Sequence, residues 1–242
     1  MDSDYTSDYF YHFVGRSDPS AHEENFSRLC KILSDNEVRH PPFTPGGSTA
    51  SLTIPKQVKI FSEELLFPTV TCFSDIPSTS LRIHTKKYGL FGLSISRAHL
   101  IEWRARPVLY WPFVLNDALF ENESLKDVWN TYIYFRELVV EPRKHQFAGI
   151  RTLGARPDSE IDAIYAFDSS VQKQLLAYIK PFDASKPAHE LESFYMEREW
   201  RRFGYLAFSP KDLGELVVAE GFKERLQEKF PEYGDIIREI SN

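Results

Sequence analysis

Nine residues late in the chain, Phe194-Tyr195-Met196-Glu197-Arg198-Glu199-Trp200-Arg201-Arg202, hold two glutamates, three arginines and three aromatic rings. They run straight into Phe203-Gly204-Tyr205-Leu206-Ala207-Phe208. Rings interleaved with charges read as a strand that must bury one face and present the other. Taken with period two, Tyr195, Glu197, Glu199 and Arg201 share one face, and Met196, Arg198 and Trp200 share the other. A strand of this kind entering a site displays two carboxylates beside a guanidinium. Adjacent carboxylates repel, so a protein that keeps them together sets a cation, a metal or an electron-poor ligand between them. A surface strand with mutual Glu/Arg pairing and Trp200 in the core fits the same pattern.

At 242 residues the chain can bury a sizeable core, and it reads as one α+β domain over residues 1–242. A net charge of -6 argues against a broad nucleic-acid footprint and leaves room for a local basic groove. The two cysteines, Cys30 and Cys72, have no CxxC spacing, which argues against a disulfide framework or a cysteine metal cluster and points to a reducing compartment. Met1-Asp2-Ser3-Asp4-Tyr5 is acidic and polar, unlike a signal peptide, and no apolar run approaches the roughly 18 residues of a membrane span. The expectation is a cytoplasmic protein without a membrane partner.

Along the chain, residues 1–8 read as a disordered tail and Tyr9–Val14 as a strand ended by Gly15. Ser20 is placed to cap a helix from Ala21 to Ser34, with Phe26, Leu29, Cys30, Ile32 and Leu33 as its apolar stripe. The Pro- and Gly-rich residues 40–50 form a mobile loop. Val70–Ser74 is a second strand, and Ser78 caps a short helix through His84. Tyr88–Ile95 is strand-like with two glycines, Arg97–Trp103 helical, and Pro107–Trp111 another strand. The longest helical pattern runs from Asn116 to Leu138 and is followed by a polar connector over residues 148–164. Ser170–Ile179 then reads as a helix, Leu216–Val218 as a strand and Phe222–Phe230 as a helix. Strands and helices mix without a βαβ rhythm, hence the α+β class.

His12 sits between two rings in the first strand, where a lone histidine is ordinarily a satisfied structural residue. His84 and Tyr88 are spaced to meet on a helix, yet Gly89 suggests that the helix stops first. Ser74 belongs to a hydroxyl-rich strand end of the kind that serves turns. There is no Walker loop, GxSxG, HExxH or GxGxxG, and the seven histidines are scattered singly, so no metal site is expected. A nuclease would need an acidic and lysine cluster that the chain lacks.

Two resemblances follow from these landmarks. Tyr11-His12-Phe13, with the helix ending in Cys30-Lys31-Ile32-Leu33-Ser34-Asp35-Asn36, resembles the first strand and helix of ADP-ribosyltransferase-like domains. Cys72-Phe73-Ser74 then resembles the second strand of that fold, and Glu197-Arg198-Glu199 its late Glu-x-Glu. The resemblance implies an ADP-ribosyltransferase-like mixed β core and NAD as substrate. It implies Glu199 as the carboxylate beside the developing positive charge, Glu197 orienting the acceptor, and His12 holding a ribose hydroxyl or the nicotinamide amide. Ser74 and Arg201 would support the site, and Tyr88 or Phe73 would stack on the nicotinamide.

The second resemblance spans Cys72-Phe73-Ser74-Asp75-Ile76-Pro77, His84-x-x-x-Tyr88-Gly89-x-Phe91-Gly92, Arg106-Pro107-Val108-Leu109-Tyr110 and Glu197-x-Glu199-Trp200-Arg201. These resemble the AbiGi-type abortive-infection family of bacterial phage defence. That likeness implies an antitoxin with a cognate toxin or another defence protein as partner. The enzyme reading leaves the acceptor open between nucleic acid, protein and water; the antitoxin reading makes Glu199, Trp200 and Arg201 a structural strand.

Overall fold

The structure, a computed structural model, describes residues 7–39, 52–53, 67–113, 124–147, 159–183, 187 and 197–241. The expected mobile loop over 40–50 and most of the expected tail over 1–8 lie outside them. The chain divides into two compact units. One comprises Met1–Ala50, Thr69–Val108 and Ala188–Asn242, the other Ser51–Pro68 and Leu109–Pro187.

The first unit is built on a seven-stranded mixed sheet. Its strands are β1 (Tyr9–Phe13), β2 (Val70–Ser74), β3 (Gly92–Ser96), β4 (Arg106–Pro107), β5 (Glu199–Phe203), β6 (Leu213–Ala219) and β7 (Ile237–Ile240). Their spatial order is β7-β6-β3-β1-β2-β5-β4. Every neighbour is antiparallel except β6 and β7, which run parallel. Phe10, Phe73, Leu93 and Ile95 come from alternate positions of three adjacent strands and are all but inaccessible to solvent. They pack with Leu29 and Leu33 of helix α1 (His22–Asp35) in the main core. A smaller cluster gathers Tyr11, Ile76, Leu81 and Val217.

Helix α1 forms where its stripe requires it. Glu23 and Glu24 lie in the first turn, where the helix dipole favours negative charge, and Phe26, Leu29 and Leu33 face inward. Ser20 does not cap it, because its hydroxyl is given to Asp18 at 2.6 Å. Asn36, in the left-handed region at φ 53°, closes the helix by donating its amide to the carbonyls of Ile32 and Leu33. Helix α2 (Leu81–Tyr88) runs one turn further than expected. Gly89, at φ 81°, ends it after Tyr88 rather than before, so the rings of His84 and Tyr88 do meet, stacked with centroids 6.4 Å apart. Helix α3 (Arg97–Glu102) starts at Ser96, whose hydroxyl accepts from the His99 amide.

Among the described residues, the second unit has two strand pairs, Leu109–Phe113 parallel with Ile179–Asp183 and Leu52–Thr53 antiparallel with Phe67–Pro68. Of the helix expected over Asn116–Leu138, the described part is α-helical from Ser124 to Phe135 and continues through a π-helical turn, Arg136–Val140, to Phe147. The connector expected over 148–164 already contains the start of the Glu160–Ser170 helix. Its acidic residues Glu160 and Asp162 are first-turn dipole partners, and the Asp162 amide is capped by Ser159. Asp168, near the end of this helix, is buried and accepts from Tyr132 at 2.6 Å and Gln172 at 2.7 Å, with Arg136 Nε at 3.2 Å.

Candidate functional site

The period-two reading of the Glu-x-Glu stretch holds only from Glu199 onward. Arg198 has φ 42°, a conformation costly for a side-chain-bearing residue, and it breaks the strand just before β5 begins. The kink is clamped at two points. The Asp75 amide donates to the Arg198 carbonyl at 3.2 Å, and Arg198 Nη2 meets Asp75 Oδ2 at 2.7 Å. Glu197 therefore enters from outside the sheet, while Glu199 enters from its first strand position.

Beyond the kink, β5 is locked to β2 by five consecutive pairs, among them Glu199↔Ser74, Trp200↔Phe73 and Arg201↔Cys72. This register puts Glu199 and Arg201 on one face, as the alternation predicted, with Trp200 on the other. Trp200 packs edge-on against Phe10 at 5.0 Å. Between β1 and β2 the ladder consists of the single pair Tyr11↔Ser74. Tyr11, Ser74 and Glu199 thus form one row on one face; His12, Phe73 and Trp200 are the row on the opposite face. The His12 and Glu199 strands are not adjacent, since β2 lies between them.

Where that ladder stops, a cavity of about 680 Å³ is bordered by His12, Val14, Val70, Cys72 and Ser74. Its wall also includes Tyr88, Glu197 and Glu199. Two side chains from opposite faces of a closed sheet could not share a pocket; the interrupted ladder brings His12 and Glu199 to one. The imidazole takes the place of the missing backbone pairing, its Nδ1 lying 2.9 Å from the Cys72 carbonyl. A carbonyl only accepts, so Nδ1 carries the hydrogen and Nε2 of the neutral ring is the acceptor. Burial pushes the His12 pKa below its usual value, and the Cys72 carbonyl opposes that only in part.

Both glutamates are about 5% exposed and both are met by cations. Glu199 Oε1 accepts from Arg201 Nε at 2.6 Å. Glu197 Oε1 accepts from Lys87 Nζ at 2.7 Å and from the Tyr88 hydroxyl. Burial first, then the charge and hydrogen bond of Glu197, raise the Tyr88 pKa well above the normal phenol range, so Tyr88 donates and stays neutral. Its ring stacks on Phe13 at 6.5 Å.

Of the residues singled out from sequence, His12, Ser74, Tyr88, Glu197 and Glu199 border the cavity. Arg201 reaches it through Glu199. Phe73 is a correction: it is fully buried in the core, its ring 5.7 Å from that of His12, and does not line the cavity. Its position follows from parity, because Phe73 alternates with Ser74 and so faces the core that Phe10 and Trp200 fill. Sequence reading missed Lys87 and the α1 wall, which contributes Arg28, Lys31, Ile32 and Asp35. The spacing i, i+3, i+4, i+7 of those four was the available signal, one stripe that meets the apolar one at Ile32. Among the described residues no group of three or more His, Cys, Asp or Glu side chains is placed to hold a metal ion, and no helix is long and apolar enough to cross a membrane.

A mixed sheet flanked by helices, with an interrupted ladder opening onto a charged cavity, defines an α+β protein with a ligand-sized site in one unit. The chain belongs to the family described as abortive phage resistance protein AbiGi, antitoxin, whose family model matches residues 56–230. No curated protein and no solved structure matches it. Nothing in these comparisons extends to ADP-ribosyltransferases.

Proposed function

We propose that this protein is the antitoxin component of an abortive-infection pair and acts against phage through a cognate toxin. Membership of the AbiGi family over residues 56–230 carries this reading. The chemistry around the glutamates is compatible with it, since Glu197 is held by Lys87 and Tyr88 and Glu199 by Arg201. Co-expression tests it. Cells arrested by the cognate toxin should resume growth when this chain is expressed with it, and arrest that persists at equal expression overturns the proposal.

A second reading is favoured by one observation, the meeting of His12, Ser74, Tyr88, Glu197 and Glu199 at a single cavity of about 680 Å³. In that reading the chain is an NAD-using ADP-ribosyltransferase or NAD glycohydrolase. Glu199, oriented by Arg201, would lie beside the positive charge that develops as the nicotinamide bond breaks, favouring the transition state over the ground state. His12 Nε2 would accept from a ribose hydroxyl, and Tyr88 would stack on the ring. Incubation with NAD should then release free nicotinamide, and Glu199→Gln should lower the rate by about 10²-fold or more. No release by the wild type, with and without lysate from phage-infected cells, removes the enzymatic reading and leaves the antitoxin one.

A further inference from the structure

The cavity has a second chemical character that the glutamates do not account for. Arg16, Ser17, Arg28, Lys31 and Arg39 border it from α1 and the segments next to it, together with Asp35 and Glu37. Four cations face Asp35, Glu37 and, on Arg28, Glu24, which leaves this wall with one more positive charge than negative. Arg39 is used internally, its Nη2 2.9 Å from Asp35 and 2.7 Å from Glu37. Arg28 is fixed at the loop after β1: its Nη1 donates to the Val14 carbonyl at 3.2 Å and to the Ser17 hydroxyl at 2.9 Å. Its other nitrogen is met by Glu24, a solvent-exposed carboxylate. Lys31 is half exposed, 3.1 Å from the Asp35 that Arg39 also uses.

We propose that Arg16, Ser17, Arg28 and Lys31 form an anion subsite and that the cavity takes an organic phosphate of nucleotide size. A planar guanidinium already oriented by the Val14 carbonyl, Ser17, Asn25 and the exposed Glu24 matches phosphate oxygens at little cost in ordering, and a hydroxyl and an ammonium on the same wall complete the donor set. Glu197 and Glu199, elsewhere in the same cavity, are carboxylates that suit an uncharged or cationic group better than a second anion. A ligand with an uncharged or cationic end as well as a phosphate satisfies both regions. The volume suits one such molecule, and the overall charge of -6 disfavours a polyanion. The proposal rests on the cavity being a ligand site and is independent of whether NAD is cleaved.

Calorimetric titration of the full chain with ADP and with adenosine tests it. ADP should bind at least about tenfold more tightly than adenosine, and its affinity should fall as salt is raised. Arg28→Gln with Lys31→Ala should remove most of that advantage and leave adenosine unchanged. Lys31→Glu, at a half-exposed position that leaves the loop contacts of Arg28 intact, guards against misfolding of the double variant and should weaken ADP by at least about threefold. Equal affinity for ADP and adenosine, or unaltered ADP binding by Lys31→Glu, overturns the subsite. Nicotinamide release separates the two ideas. ADP binding without NAD cleavage removes only the enzymatic reading, whereas NAD cleavage with wild-type KM in the Lys31→Glu variant removes only the subsite.

Discussion

Strand β2 has two seams: with β5 it is joined by five consecutive residue pairs from Glu199↔Ser74 to Phe203↔Val70, and with β1 by Tyr11↔Ser74 alone. Along the first, the five pairs run without a break and the side chains alternate between two faces. Along the second, His12 bonds the Cys72 carbonyl and the space beyond is open. A backbone carbonyl in a protein interior needs a donor, and when the neighbouring strand does not supply one a side chain or a ligand must. At the interrupted seam that carbonyl is met by an imidazole, and the polar groups that border the cavity lie beside it.

The largest effect expected from breaking this contrast belongs to the complete seam. Phe73 is fully buried next to Trp200 and His12, so Phe73→Ala should destabilise the protein by about 3–5 kcal/mol in urea unfolding, through lost burial and an unfilled void. A cost below about 1 kcal/mol would mean that this seam is not the rigid one.

Arg201→Ala comes next. The side chains of Arg201 and Glu199 are 12% and 6% exposed, which places the pair away from the surface regime. Deleting the guanidinium leaves a buried carboxylate short of a charged donor and should cost about 1.5–3 kcal/mol. Glu199→Gln should cost less, since an amide keeps the shape without the unmatched charge, and the ordering of the two melting temperatures checks the point.

Tyr88→Phe keeps the ring on Phe13 and His84 and removes only the hydroxyl that meets Glu197. With Lys87 still at 2.7 Å, the loss should be about 1 kcal/mol. If Tyr88→Phe proves as costly as Arg201→Ala, the two glutamates are held with equal rigidity and the contrast between them disappears.

The smallest effect is a pH dependence specific to the open seam. Burial holds the His12 pKa below 6.5 in the folded chain. As pH falls through 6.5 the unfolded chain takes up a proton that the folded chain refuses, so stability declines from there down to the lowered folded value. The His12→Gln variant should lose less stability than the wild type between pH 7.5 and 5.5. Parallel curves from thermal melts would show that His12 is not enclosed at the seam.

Much of this was legible in the chain. Tyr9–Phe13, α1, Val70–Ser74 and the alternation of Glu199, Trp200 and Arg201 follow from local periodicity, because strand parity and the helical repeat are properties of consecutive residues. Sequence could also nominate His12, Ser74 and Glu199 by type. Three features were decided only by the tertiary structure. Arg198 adopts a left-handed backbone because Asp75, far away in sequence, holds it at two points, and that redirects Glu197 off the strand. Helix α2 reaches Tyr88, which delivers its hydroxyl and Lys87 to a glutamate more than a hundred residues later. The ladder between β1 and β2 stops after one pair, so residues on opposite faces border one cavity. Periodicity assigns each side chain to a face of its own strand; how far two distant strands stay paired depends on what each meets in space, and no window of sequence contains both.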